Sequence, residues 1–311
     1  MDDSLGRHRH LQEVIGSIGE IIGVRAQLEY TPRFDDGSYH PRFDTAWLIE
    51  INCKVLYENG LEIVCKEYSK EDYLEVPIAL FEITGTDSTN KTLVSELSSM
   101  SLFSAGYSVV VVPDQPFDKK GKKTGMNIKR ARRIVETMRK LFGNNRLYAI
   151  SHESVMETWH RIKGTRLVSK AGNDYMGCIE TIRRSSGRFK EVFTSDVYKL
   201  FVAYEYTPSK LNYEQSMGRL VKTDKALIAC LSNRVSNVIA ELLGKSEQSS
   251  LVDIIGVEVE RRTAHKHIMG SIVYLSRFYP FGIIEVHENK YKTVKSLVEY
   301  VNKRRILVKA V

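Results

Sequence analysis

Two short stretches of this chain set a carboxylate inside an apolar run: Phe43-Asp44-Thr45-Ala46-Trp47 and Ala79-Leu80-Phe81-Glu82-Ile83-Thr84. An ionised side chain in a strand loses hydration, so something must replace the water: a partner, a proton or a cation. Alternate strand residues share a face, so Glu82 and Thr84 project together, with the carbonyl of Ile83 between them. If Asp44 approaches from a neighbouring strand, two carboxylates and a carbonyl offer the hard oxygen ligands that suit Mg²⁺. Such a metal would lower the pKa of a bound water and neutralise the charge that builds on phosphorus during phosphodiester hydrolysis. A structural reading stands beside this one, with Glu82 as a helix-capping or ion-pairing group and Lys91, further on, as a solvated helix residue.

The surrounding sequence supplies elements that could position these groups. Leu11, Val14, Ile15, Ile18, Ile21 and Ile22 have helical spacing, which Gly16, Gly19 and Gly23 weaken. Phe43 to Cys53 and Val55 to Cys65 read as a β-hairpin, with Asn59-Gly60 as its tight turn if the strand boundaries shift. Val76 to Thr84 reads as a strand, the segment from Ser88 to Phe103 as a helix capped by Ser88 or Thr89, and Tyr107 to Val112 as a buried parallel strand. A cationic helix is expected from Asn127 to Leu141, then a short strand from Arg146 to Ile150 and a helix from Ser151 to Arg161. Residues 164–224 are hardest to read beyond a strand at Lys199 to Tyr206, and Lys225 to Leu243 has the periodicity of one helix.

An internal echo follows. Val257-Glu258-Val259-Glu260 resembles Phe81-Glu82-Ile83-Thr84, Lys266 falls near the place of Lys91, and a helical stretch then leads to the strand Gly282 to Val286. The chain therefore reads as α/β, with two related αβαβ units as one alternative and chance similarity of β-α-β segments as the other. The expected division is a core at 1–125, a basic mixed region at 126–224 and a second unit at 225–311. The second candidate set is Glu258, Glu260 and Lys266, while Asp253 should point away from both glutamates unless a bulge intervenes. His265 and His267 flank Lys266 without a third ligand nearby in sequence and read as surface residues.

Asp44, then a strand bearing Glu82-Ile83-Thr84, then helix and parallel strand, resembles the PD-(D/E)XK nuclease core of many restriction and repair endonucleases. The resemblance implies a restriction-endonuclease-like mixed sheet flanked by helices, with Mg²⁺ held by Asp44 and Glu82. It also implies a lysine that positions the attacking water. Thr84 stands where that lysine would be, so Lys91 on the following helix becomes the candidate. The implied activity is metal-dependent hydrolysis of DNA, as in a type II restriction enzyme. The alternative is a non-catalytic DNA-binding protein that keeps the fold.

Composition agrees with a polyanionic partner, since 46 Lys and Arg against 38 Asp and Glu leave the 311-residue chain with a formal charge of +8. Hydrophobic residues at 42% exclude a disordered chain. Contacts to double-stranded DNA are expected from the turn bearing Lys119, Lys120, Lys122 and Lys123 and from the helix bearing Lys129, Arg130 and Arg133; a solvated basic helix is the alternative. Arg183 to Arg188 and Lys303-Arg304-Arg305 are further basic clusters. Cys53, Cys65, Cys178 and Cys230 form no CxxC pair and are expected as reduced thiols. The acidic, polar start and the lack of a long apolar run predict a cytoplasmic protein without a membrane span, and a homodimer is one possible assembly.

Overall fold

The computed structural model describes residues 3–32, 41–85, 88–103, 106–114, 126–142, 146–164, 175–209, 222–244, 250–261, 265–302 and 305–311. It is an α/β structure with two mixed sheets. The first has the order β1 (Arg25–Tyr30), β2 (Phe43–Asn52), β3 (Tyr73–Ile83), β4 (Tyr107–Val112) and β5 (Leu147–Ser151). Its first three strands are antiparallel neighbours, and β3, β4 and β5 run parallel. Helix α1 (Asp3–Ile22) precedes β1, α4 (Asn90–Phe103) joins β3 to β4, α5 (Ile128–Phe142) joins β4 to β5, and α6 (His152–Gly164) follows.

The second sheet has the order β11 (Ile306–Ala310), β10 (Phe281–Val286), β9 (Leu251–Glu260), β8 (Thr223–Leu231), β7 (Tyr198–Tyr206) and β6 (Arg188–Thr194). Strands β6 to β9 are antiparallel neighbours and β9 to β11 are parallel. Its helices are α7 (Met176–Ser185), α8 (Asn233–Leu242), α9 (His265–Phe278) and α10 (Glu288–Asn302). The basic region expected at 126–224 is thus shared between the sheets, and the second unit begins well before residue 225.

Three sequence readings change. The expected hairpin arm from Val55 to Cys65 is instead two short helices, α2 (Cys53–Glu58) and α3 (Glu62–Tyr68). The Asn52 side chain caps α2 by accepting from the Lys54 N–H at 2.8 Å. The single helix expected from Lys225 to Leu243 divides at Ser232 into β8 and α8. Ala226 to Leu231 are all buried, and a strand covered on both faces is as uniformly apolar as a buried helix turn. The cysteines are paired rather than free, Cys53 with Cys65 and Cys178 with Cys230, at Cα separations of 5.8 and 5.9 Å.

The sheets share one inner core. It joins Leu11, Ile15 and Ile18 of α1, Trp47, Val155 of α6, Val64 of α3, Val235 of α8 and the inward residues of both sheets. Outside the first sheet, α4 and α5 cover Leu80, Val110 and Val112. Outside the second, α7, α9 and α10 cover Phe201, Ile228 and Ile284. The helices inserted before each sheet's parallel strands reach across: α3 leans on β11, while α8 packs against α1 and α6. Polar ties follow the same seam, with Lys309 donating to the Gly60 carbonyl at 2.8 Å and Tyr198 Oη donating to the Glu50 carbonyl at 2.6 Å. No helix among the described residues is long and apolar enough to cross a membrane.

Candidate functional site

Antiparallel pairing sets Thr45 against Phe81, and one step further along the same ladder Asp44 lies opposite Glu82. Asp44 stands at the head of β2 and Glu82 at the tail of β3, so both acids open at one end of the sheet. Asp44 is fixed from three sides: its Oδ2 accepts the Ile83 N–H at 2.6 Å, and its Oδ1 accepts from Gln12 Nε2 and lies 3.0 Å from His8 Nε2. Gln12 also donates to Glu29 at 2.7 Å, tying α1 to the strand beside Asp44.

Burial first, and then the adjacent Asp44 carboxyl, push Glu82 up to about 9, so at neutral pH the pair shares a proton. A third acid faces them. Glu96 of α4 is pushed up to about 7 by burial and by the charge of Asp44. Thr84 is 2% exposed and its side chain hydrogen-bonds Glu96, which opposes the upward push, while Glu96 Oε2 has no hydrogen-bond partner. Lys91 stands exposed in the first turn of α4, and none of the charges acting on Glu82 or Glu96 belongs to it. Asp44 and Glu82 are therefore brought together as expected, whereas Lys91 is not.

The second unit repeats this arrangement in detail. Lys225 pairs with Val257, which sets Asp224 opposite Glu258, and Asp224 Oδ2 accepts the Val259 N–H at 2.8 Å as Asp44 accepts that of Ile83. Each ladder has its irregularity at the same step, between Trp47 and Leu48 in one and between Leu227 and Ile228 in the other. A glutamate in left-handed backbone lies across from each aspartate, Glu29 at φ 51° and Glu205 at φ 49°. The two units thus coincide in register, bulge position and backbone sign.

Glu258 is pushed up to about 8 by burial and then by Asp224 and Glu260, and its Oε1 has no hydrogen-bond partner. Glu260 accepts from Ser271 Oγ at 2.6 Å, and Lys266 is exposed. Asp253 departs from the expected alternation, because the register shift between Leu227 and Ile228 places a bulge at Ile254 and returns Asp253 to the Glu258 face of the sheet; fully buried, it accepts from Tyr206 Oη at 2.8 Å, Ser209 Oγ at 2.6 Å and the Ser209 N–H at 3.0 Å. His265 is exposed and His267 partly so. Among the described residues, no group of three or more His, Cys, Asp or Glu side chains is arranged to hold a metal ion. A cation at either acidic centre would have to draw the carboxyls inward.

Lys129, Arg130, Arg132 and Arg133 line the exposed side of α5, which packs beside α4 through Ala131, Val135 and Met138. Lys119, Lys120, Lys122 and Lys123 lie outside the described residues. In the C-terminal basic cluster, Arg305 is a structural residue rather than a surface cation, donating within the core to the carbonyls of Pro280, Ser276 and Tyr279.

Sequence reasoning missed Glu96 and Asp224. Glu96 sits in a helix whose polar face is written mostly in serine, and only the placement of α4 turns it inward. Asp224 could have been found by aligning each echo back through its preceding strand, since Phe43-Asp44-Thr45-Ala46 matches Thr223-Asp224-Lys225-Ala226. No family model matches this chain, and comparison with curated proteins and with solved structures finds no match.

Proposed function

We propose that this chain is a Mg²⁺-dependent endonuclease of double-stranded DNA, built on a restriction-endonuclease-like plan. The observation that carries the reading is the convergence of Asp44 and Glu82 at one sheet end, next to Glu96, with no lysine or arginine among the charges acting on the two glutamates. Acids gathered in this way repel one another unless protons or a cation intervene. The unpartnered Oε2 of Glu96 suits a hard cation that takes oxygen ligands. Asp44 and Glu82 would hold the ion, which when bound supplies an acidified water and charge neutralisation at the phosphate.

The chain's own residues have separable tasks in this reading. The Ile83 N–H and Gln12 orient the Asp44 carboxylate. Glu82 must release its proton. The exposed cations of α5 supply phosphate contacts that position the duplex without reading its sequence. Cleavage of duplex DNA with Mg²⁺, lost in Asp44→Asn and in Glu82→Gln, is the expected result; undiminished cutting by both variants would overturn the assignment.

A second reading, a DNA-binding protein without catalysis, is favoured by Thr84 at the lysine position and by the exposure of Lys91. It predicts salt-sensitive DNA binding and no cleavage with Mg²⁺ or Mn²⁺. If Lys91 serves as the water-positioning group, Lys91→Ala abolishes cleavage while leaving DNA affinity in place.

A further inference from the structure

We propose that His8, held by Asp44, takes the proton of the attacking water at this centre, a role for which the strand supplies no lysine. This rests on the nuclease reading above and names the proton-transfer group within it.

The geometry begins with helix spacing. His8 and Gln12 are four residues apart on α1, so their side chains lie one above the other on one helix face. Both meet Asp44 Oδ1, each at 3.0 Å, while Asp44 Oδ2 accepts the Ile83 N–H at 2.6 Å. Gln12 is itself tied to Glu29 at 2.7 Å. Asp44 is thus fixed from α1 and from β3, and it holds the imidazole in one orientation. A carboxylate only accepts, so in the neutral ring Nε2 carries the hydrogen and Nδ1 keeps its lone pair. The His8 side chain is 37% exposed against 15% for Asp44, which leaves the ring within reach of water and of a substrate. A ring nitrogen with a free lone pair, oriented by an acid behind it, is the arrangement that general-base catalysis uses.

The other basic groups at this end of the sheet are not held in this way. Thr84 stands at the lysine position and Lys91 is exposed on α4. His10 is exposed, and the buried Nε2 of His152, at the head of α6, has no hydrogen-bond partner. The second unit supplies the contrast. Asp224 accepts the Val259 N–H as Asp44 accepts that of Ile83, yet Asp224 is exposed, and among the described residues no imidazole is bonded to it. Helix α1 makes the difference: it packs in the shared core beside β2, whereas α7 lies outside the second sheet. The first unit alone therefore carries an oriented base, which makes it the working centre.

In the step itself the water oxygen bonds to phosphorus while one water proton passes to His8 Nδ1. The bond from phosphorus to the leaving ester oxygen breaks with its electron pair, and that oxygen takes a proton from solvent. A phosphomonoester and an alcohol result, and His8 returns its proton to water.

The test is plasmid cleavage with Mg²⁺ by the full chain and its His8→Gln and His8→Ala variants. Glutamine keeps an N–H donor for Asp44 but has no basic nitrogen. Both variants are expected to lose roughly a hundredfold or more in kcat with KM little changed, and added imidazole should partly restore His8→Ala. Wild-type rates in His8→Gln, together with loss of cutting in Asp44→Asn, reduce His8 to a prop for Asp44 and overturn the proposal while keeping the nuclease. A wild type that cuts with neither Mg²⁺ nor Mn²⁺ sinks the nuclease reading and the role of His8 with it. The ¹⁵N resonances of the His8 ring give a readout apart from activity. A bare Nδ1 and a protonated Nε2 are expected, and the opposite tautomer overturns the proposal whether or not DNA is cut.

Discussion

Replacing Glu82 by glutamine should stabilise the metal-free protein, by an amount that grows with pH. The fold raises the Glu82 pKa from an ordinary carboxylate value of 4.5 to about 9, chiefly by burial and then through Asp44. The folded chain therefore holds a proton that the unfolded chain releases. Sign follows from linkage: the contribution to stability is fully present below pH 4.5 and is lost as pH rises toward about 9. At pH 7 the gap above 4.5 corresponds to an upper bound of about 3 kcal/mol, at about 1.4 kcal/mol per pH unit. Glutamine carries no such proton and its amide can donate to Asp44. Urea denaturation of the two proteins from pH 5 to 8.5 is the assay. The curves should nearly meet at pH 5, and the variant should lead by 1 to 3 kcal/mol, roughly, at pH 7. Mg²⁺ should narrow the difference by stabilising the wild type alone. A pH-independent gap, or a metal-free wild type that is the more stable at pH 8, would refute the shared-proton picture of Asp44 and Glu82.

Other outcomes can be checked alongside. Cation affinity at the first centre should rise with pH across the range in which Glu82 and Glu96 give up protons, as isothermal titration at pH 6 and 8 would show. Gly19→Ala sets a methyl group 2.6 Å from Trp47 Nε1, whose bond to the Ile15 carbonyl it crowds; a loss of about 1 to 3 kcal/mol and a shifted tryptophan emission are expected. Combining Lys129→Glu with Arg133→Glu should weaken DNA binding about equally across sequences. It should also flatten the salt dependence by roughly one unit of slope for each phosphate no longer neutralised, read by fluorescence anisotropy at several salt concentrations. Glu258→Gln should repeat the pH-dependent stabilisation of Glu82→Gln with a smaller span, since Glu258 reaches only about 8.

What could be read from sequence and what could not divide along physical lines. Glu82, β3, α4 and β4 were legible because a carboxylate inside an apolar run and the change from strand to helix periodicity are local signals. The echo at Glu258 was visible for the same reason. Helices α2 and α3 were not, since each is one or two turns long, too short for 3.6-residue periodicity to stand out against strand alternation. Strand β8 was hidden by its own burial: Ala226 to Leu231 are apolar throughout and run straight toward the helical pattern of α8, so the whole segment read as one helix. That misreading concealed Asp224 as well. Arg305 shows the opposite error, because a basic triplet near the C-terminus looks solvent-facing until the fold wraps carbonyls around it.

The crossed inserts bear on how such a chain can be made at all. Because α8 of the second unit covers α1 and α6, and α3 of the first supports β11, neither half closes its inner face alone. During synthesis the first half would leave the ribosome with the faces of α1, α3 and α6 not yet met by α8 and β11. The same crossing means that two separately expressed halves should recognise each other through these complementary faces, so that the seam behaves as a subunit interface enclosed within a single chain.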